Sequence, residues 1–222
     1  MRLTTLNKLR AVLLAIGGIA GSAGLAYATP AIVVSNPTAY SLGAGQTFTL
    51  GYEFSIDTAI TVTSLGVYDS GSDGLVDSYK VGIYNAAGTL VASTTVASGT
   101  GETLLDGFRY QSISAVNLAA GTYEIGALFT TSDDGVLFPG YVTGFTTAKD
   151  VTFLQNGYAY GSTLSDPVDT TSNQPSYIGP NFQFNVATAA VPEPASLALL
   201  GAGLLGLVAM RRRSKHQAAP LA

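Results

Sequence analysis

QTFTLGYEFSI, residues 46–56, alternates apolar side chains with polar or small ones along its length. Phe48, Leu50, Tyr52, Phe54 and Ile56 fall on one face of an extended chain. Thr47, Thr49, Gly51, Glu53 and Ser55 fall on the other. A helix would scatter the five apolar residues around its axis, so the period of two dictates a strand. Similar runs predict strands at residues 60–68, 79–84, 89–96, 108–113, 122–130, 151–154 and 182–186. Turn formers separate them, among them NAAG at 85–88 and SDDG at 132–135. Asn, Asp and Gly suit such places because they tolerate the backbone conformations that tight turns require. Short strands at this spacing, with no convincing helix between the chain ends, predict an all-β fold. The expected form is an antiparallel β-sandwich, jelly-roll-like.

Composition narrows the chemistry. The chain has 222 residues, no Cys, no Trp and one His, which is His216 near the end. Disulfides, a Cys-based zinc site, a thiol nucleophile and a Ser-His-Asp triad are all excluded from the folded part. Residues 29–190 carry three cations, Lys80, Arg109 and Lys149, against 13 Asp and Glu, a net charge of −10. Such a domain repels phosphate backbones, so no nucleic-acid partner is expected. At 162 residues it is long enough to bury a core of its own. Its acids lie mostly in turn-like clusters, and no phosphate loop or nucleophile elbow is present. The reading is therefore not an enzyme, and no cofactor is required, with calcium left open below.

The two ends read as addresses. Arg2, Lys8 and Arg10 precede an apolar stretch, and Ala26-Tyr27-Ala28 places small residues where signal peptidase reads. Residues 1–28 are thus expected to form a signal helix, cleaved after Ala28. Residues 29–190 form the exported domain. Residues 191–222 form the tail: Pro192-Glu193-Pro194, an uncharged run at 195–210 expected to be a transmembrane helix, then Arg211, Arg212, Arg213 and Lys215. A run of 16 residues spans a bilayer thinly, and the Arg cluster should stop transfer on the cytoplasmic side.

This order of Pro-Glu-Pro, apolar helix and basic cluster resembles the PEP-CTERM sorting signal of Gram-negative bacteria. The resemblance implies removal of the tail by exosortase, at or near Pro192, Glu193 and Pro194. It implies export, with tethering to the inner membrane in transit and then placement at the cell surface or in the extracellular matrix. GYEFSI (51–56), SLGVYDSGSDGL (64–75), VGIYNAAGTLVAS (81–93), GFRY (107–110) and LAAGTYEIGA (118–127) resemble an uncharacterised β-sandwich domain of exported bacterial proteins. These resemblances imply a structural or adhesive surface or matrix protein linked to exopolysaccharide or biofilm. The alternatives are a carbohydrate-binding module and, less favoured, a carboxylate-based glycosidase. The expected partners are signal peptidase, exosortase, the membrane before processing, and exopolysaccharide.

Two stretches stay open. DSGSDGLVD places Asp69, Asp73 and Asp77 at intervals of four around Gly74. This partly matches a calcium loop, but Gly71 stands where an oxygen ligand belongs and Lys80 where a bidentate Glu belongs. It is either an oxygen-lined calcium site or an Asp/Gly-rich hairpin connection, the hairpin placed first. Residues 162–181 hold Pro167, Pro175 and Pro180 and show little apolar period, so they read as a long loop, structureless or in contact with a ligand.

Overall fold

A computed structural model describes residues 28–36, 39–40, 47–130, 134, 136–137, 143–170, 177–186, 201 and 203–205. Among them the chain forms β1 (Thr29–Pro30), β2 (Ile32–Asn36), β3 (Ala39–Tyr40), β4 (Phe48–Ile56) and β5 (Ile60–Tyr68). It continues through β6 (Tyr79–Asn85), β7 (Leu90–Val96), β8 (Thr103–Leu105), β9 (Phe108–Leu118) and β10 (Gly121–Phe129). It ends with β11 (Val136–Leu137), β12 (Thr143–Thr147), β13 (Val151–Tyr160), β14 (Asp169–Thr170) and β15 (Pro180–Val186). The fold is all-β, built on antiparallel pairs. One sheet runs β1-β15-β5-β9-β8 and the other β14-β13-β4-β10-β6-β7. Two ribbons, β11 with β3 and β12 with β2, complete it.

The alternation of residues 46–56 is realised in β4, which lies between β13 and β10. Leu50, Tyr52, Phe54 and Ile56 are buried, and Phe48 is half-buried. The ring of Phe54 stands 4.9 Å from that of Phe182 in the other sheet, so the two sheets share one core. Each such side chain taken from water stabilises by about 1.5–3 kcal/mol. A polar knot ties β2 and β15 beneath this core. Buried Asn181 accepts from the Ile32 N–H at 3.2 Å and donates to the Ile32 carbonyl at 2.9 Å and to the Tyr110 hydroxyl at 2.7 Å. Its side chain takes the part of a strand neighbour where the ladder is interrupted.

The expected strands are present, with different ends. β9 and β13 run on to Leu118 and Tyr160, well past the expected 113 and 154. Their second halves mix Gly, Ser and Asn with apolar residues, so the period of two weakens although the backbone stays extended. β1, β2, β3, β8, β11, β12 and β14 have no counterpart among the expected strands. They are two to five residues long, and pairing with a neighbouring strand rather than local pattern makes them extended. The NAAG turn joins β6 to β7, with the Asn85 carboxamide oxygen accepting from the N–H groups of Ala87 and Thr89 at 3.0 Å each.

The signal segment lies outside the described residues apart from Ala28. The apolar run 195–210 does too, apart from 201 and 203–205, whose backbone is helical. Among the described residues no helix is long and apolar enough to cross a membrane.

Candidate functional site

The loop after β5 was the sharpest candidate in the sequence. Asp69 turns inward, fully buried, and its carboxylate lies 2.6 Å from Arg109 Nε, from β9. Both of its oxygens also accept from the Gly74 N–H, at 3.1 and 3.2 Å. Arg109 spends its remaining donors on loop carbonyls: those of Thr100 at 3.1 Å, Glu102 at 3.2 Å and Ser72 at 3.4 Å. The cation that neutralises Asp69 is therefore Arg109, 40 residues along the chain. Asp73 is exposed and Asp77 half-buried, and the structure does not gather the three carboxylates. Among the described residues no group of three or more acid or imidazole side chains is placed to hold a metal ion.

A second carboxylate supports this loop from the far side. Asp134, the described residue of the SDDG cluster, is buried and accepts from the Tyr79 hydroxyl and, at 3.0 Å, from the Val76 N–H. Burial raises its pKa, the Tyr79 hydroxyl and the Val76 and Asp77 N–H groups oppose that, and the nearby charge of Asp69 adds to the rise. The residues after Asp69 are thus clamped between two buried acids. An acid and a basic residue far apart in sequence gave no local signal of this.

The long loop shows an unexpected role in its first part. Gly157, Gly51, Gly126 and Gly82 lie side by side across β13, β4, β10 and β6, on the face away from the core. With no Cβ in the row, the sheet has a trough, and residues 163–168 lie in it. A Cβ at Gly157 would overlap the Pro167 carbonyl, one at Gly126 would meet Pro167 Cγ at 3.3 Å, and one at Gly82 would meet Leu164 at 3.0 Å. The Ser165 N–H donates to Thr49 Oγ1 at 3.0 Å, which explains why Thr49, on the polar side of its strand, is fully buried. β14 then pairs with β13 and fixes the end of this strap.

Beside the trough runs a polar row: Gln155, Glu53, Glu124 and Tyr84 on the same four strands. Gln155 donates to Glu53 at 2.6 Å. The strap brings Asp166 towards Glu124, and an oxygen of each is buried without a hydrogen-bond partner among the described residues. Burial, then the charges of Asp166 and Glu53, pushes the Glu124 pKa up to about 7. These carboxylates press their charges on one another, and they sit against the strap.

At the end of the same sheet Tyr160 is 72% exposed and stands 5.2 Å from Phe48. Thr47, Phe48, Tyr160 and Gly161 line a shallow recess of about 330 Å³. Tyr158 meets Tyr160 at 86° and Tyr177 at 68°, so the three rings stand edge to face and not in one plane.

The two ends of the domain lie together, since Thr29 pairs with Phe184 and Pro30 with Gln183. Thr29, the residue expected after signal cleavage, opens β1, and Val186 closes β15 beside it. Pro192, Glu193, Pro194, Arg211, Arg212, Arg213 and Ala26 lie outside the described residues. No curated protein matches the chain. A match to a family model covers the tail that leaves β15, and a tail of this kind implies export towards the surface and processing by exosortase. Residues 190–213 match the PEP-CTERM protein-sorting motif.

Proposed function

We propose that this is a non-enzymatic component of the cell surface or extracellular matrix of a Gram-negative bacterium. On this reading it acts structurally or in adhesion and is linked to exopolysaccharide. The two sheets are the layers of a jelly-roll-like β-sandwich, delivered through a cleaved signal peptide and held in transit by a transmembrane tail helix. The observation that carries the proposal is the sorting motif at residues 190–213, close behind the last strand of an acidic β domain. The acids support it, because the buried ones, Asp69 and Asp134, clamp a loop, and half-buried Glu124 lies at the strap.

The test is a strain without the chain, compared with one exporting it with Pro192, Glu193 and Pro194 replaced by alanine. Both should lose cell adhesion and matrix mass, and the altered chain should stay full-length in the membrane. Undiminished adhesion in the strain without the chain would overturn the role. Release of the altered chain at the normal rate would overturn the sorting step alone.

One observation favours a second reading, a carbohydrate-binding module: the exposed Tyr160 beside Phe48. Sugars stack best on flat, accessible rings, and the edge-to-face arrangement offers one such ring at a time. A glycan array read with the exported protein and with Tyr160→Ala decides between attachment through this ring and none.

A further inference from the structure

The two main sheets end in four edge strands, and they are not treated alike. β1 is two residues long and contains Pro30. β14 is two residues long and contains Asp169. β8 is three residues long and is bracketed by Glu102 and Asp106. Each is blunted by shortness together with a proline or a charge, as soluble proteins commonly blunt the edges that would pair with another chain. Longer strands that run past these short ones carry irregularities: β9 near Ile113 and β13 near Leu154.

β7 has neither the shortness nor the proline or charge. It is seven residues, LVASTTV, pairs with β6 on one side, and has no strand on its other side among the described residues. Its one irregularity lies at its start, between Leu90 and Ala92, which leaves Ala92–Val96 regular. No charged residue occurs anywhere from 81 to 101, in a domain of net charge −10. Ser93 and Thr95 are exposed, and Leu90 is 46% exposed.

We propose that β7 is a self-association edge, pairing antiparallel with β7 of a second copy to join two six-stranded sheets into one. Charge selects the occupant. Two acidic domains repel each other wherever their carboxylates face, and the uncharged edge is where a second copy approaches without that cost. A cationic partner would be drawn to the acidic surface instead. Shape agrees, because an antiparallel strand is complementary to itself about a twofold axis, so one surface serves both partners. Centred on Thr94, the pairing sets Ser93 opposite Thr95 of the second copy and Thr94 opposite itself. The inference goes beyond the surface role and does not depend on what the domain attaches to.

Sedimentation of the exported protein, without any glycan, reads the edge directly. The wild type should pass from monomer to dimer with a Kd of about 10–100 µM, as suits an interface at the small end of the usual size range. Ser93→Lys with Thr95→Lys places like charges opposite each other and should weaken association ~10-fold or more while leaving the monomer folded. Val168→Lys, on the strap at the other end of the sheet, should leave association unchanged and controls for added charge. The chain has no cysteine, so single variants report register. Thr94→Cys should form an interchain disulfide, since directly opposed Cα atoms lie about 4.5–5.5 Å apart. Leu90→Cys should not, since its two copies would lie about 27 Å apart. A wild type that stays monomeric at ten times the upper Kd, or a dimer that survives the two lysines, would overturn the proposal.

Discussion

Among the described residues, acids are wholly buried around one loop and half-buried against the strap, and the two groups are treated in opposite ways. Around the loop after β5, Asp69 has Arg109 and the Gly74 N–H, and Asp134 has the Tyr79 hydroxyl and the Val76 N–H. At the strap, Glu124 faces Glu53 from β4, Asp166 from the strap and Tyr84 from β6, with no cation among them. The first arrangement locks a loop by matching each charge with donors. The second leaves like charges together, so the glycine trough, the Ser165–Thr49 hydrogen bond and the pairing of β14 with β13 hold the covering segment against an electrostatic push. The same residue type therefore fastens one segment and loads the other.

The comparison breaks most visibly at the first site. Asp69→Ala strands a buried guanidinium, and losing one partner of such a pair costs about 3–5 kcal/mol. In a domain of this size that lowers Tm by ~6–20 °C, read by calorimetry. A fall below ~2 °C would mean that the pair is not holding the loop. Gly157→Val tests the strap next. The new side chain overlaps the Pro167 carbonyl, so about 1–3 kcal/mol should be lost and amide exchange across residues 163–168 should quicken. Unchanged exchange there would show that the trough is not what seats the strap.

Glu124→Gln should act in the other direction. Because the folded protein raises this carboxyl from 4.5 to about 7, it holds the proton more tightly than the unfolded chain does. The stability this confers is full below pH 4.5 and is lost as pH rises to about 7. After discounting for solvent screening, the Gln variant should gain about 1 kcal/mol at pH 8, or ~2–4 °C, and nothing at pH 4. Melting profiles across that range check it, and an equal gain at both pH values would remove the charge explanation. The smallest effect is expected at Asp73, which is exposed: Asp73→Ala should shift stability by less than about 0.5 kcal/mol. Adding calcium or chelator should move the wild-type melt by less than ~1 °C. A larger calcium shift that Asp73→Ala abolishes would place an ion in the loop after all.

The strands that alternate strictly were legible because their side chains carry the burial code themselves. β4 and β6 show it: Leu50, Tyr52, Phe54 and Ile56 in one and Tyr79, Val81 and Ile83 in the other are buried. The second half of β13 was not legible, since Gly157 looks like a strand breaker until three other glycines align beside it. The loop after β5 was read correctly as Asp- and Gly-rich. Its meaning was not readable, because the deciding residue, Arg109, carries no mark of its partner in the sequence around it. The sorting motif is legible in full, since its signal is a short local order of residue types.

By itself the sequence determined the all-β class, the acidity of the domain, the absence of thiol and imidazole chemistry from residues 29–190, and the address on the tail. Each depends on composition or on patterns a few residues long, which the chain carries whatever its neighbours are. Tertiary structure alone decided that Asp69 meets Arg109, that four glycines make one trough, that Asp166 lies near Glu124, and that β7 is the unguarded edge. All four depend on strand order and register. Those are set by which hydrophobic faces close over a common core, a choice made among residues far apart in the chain.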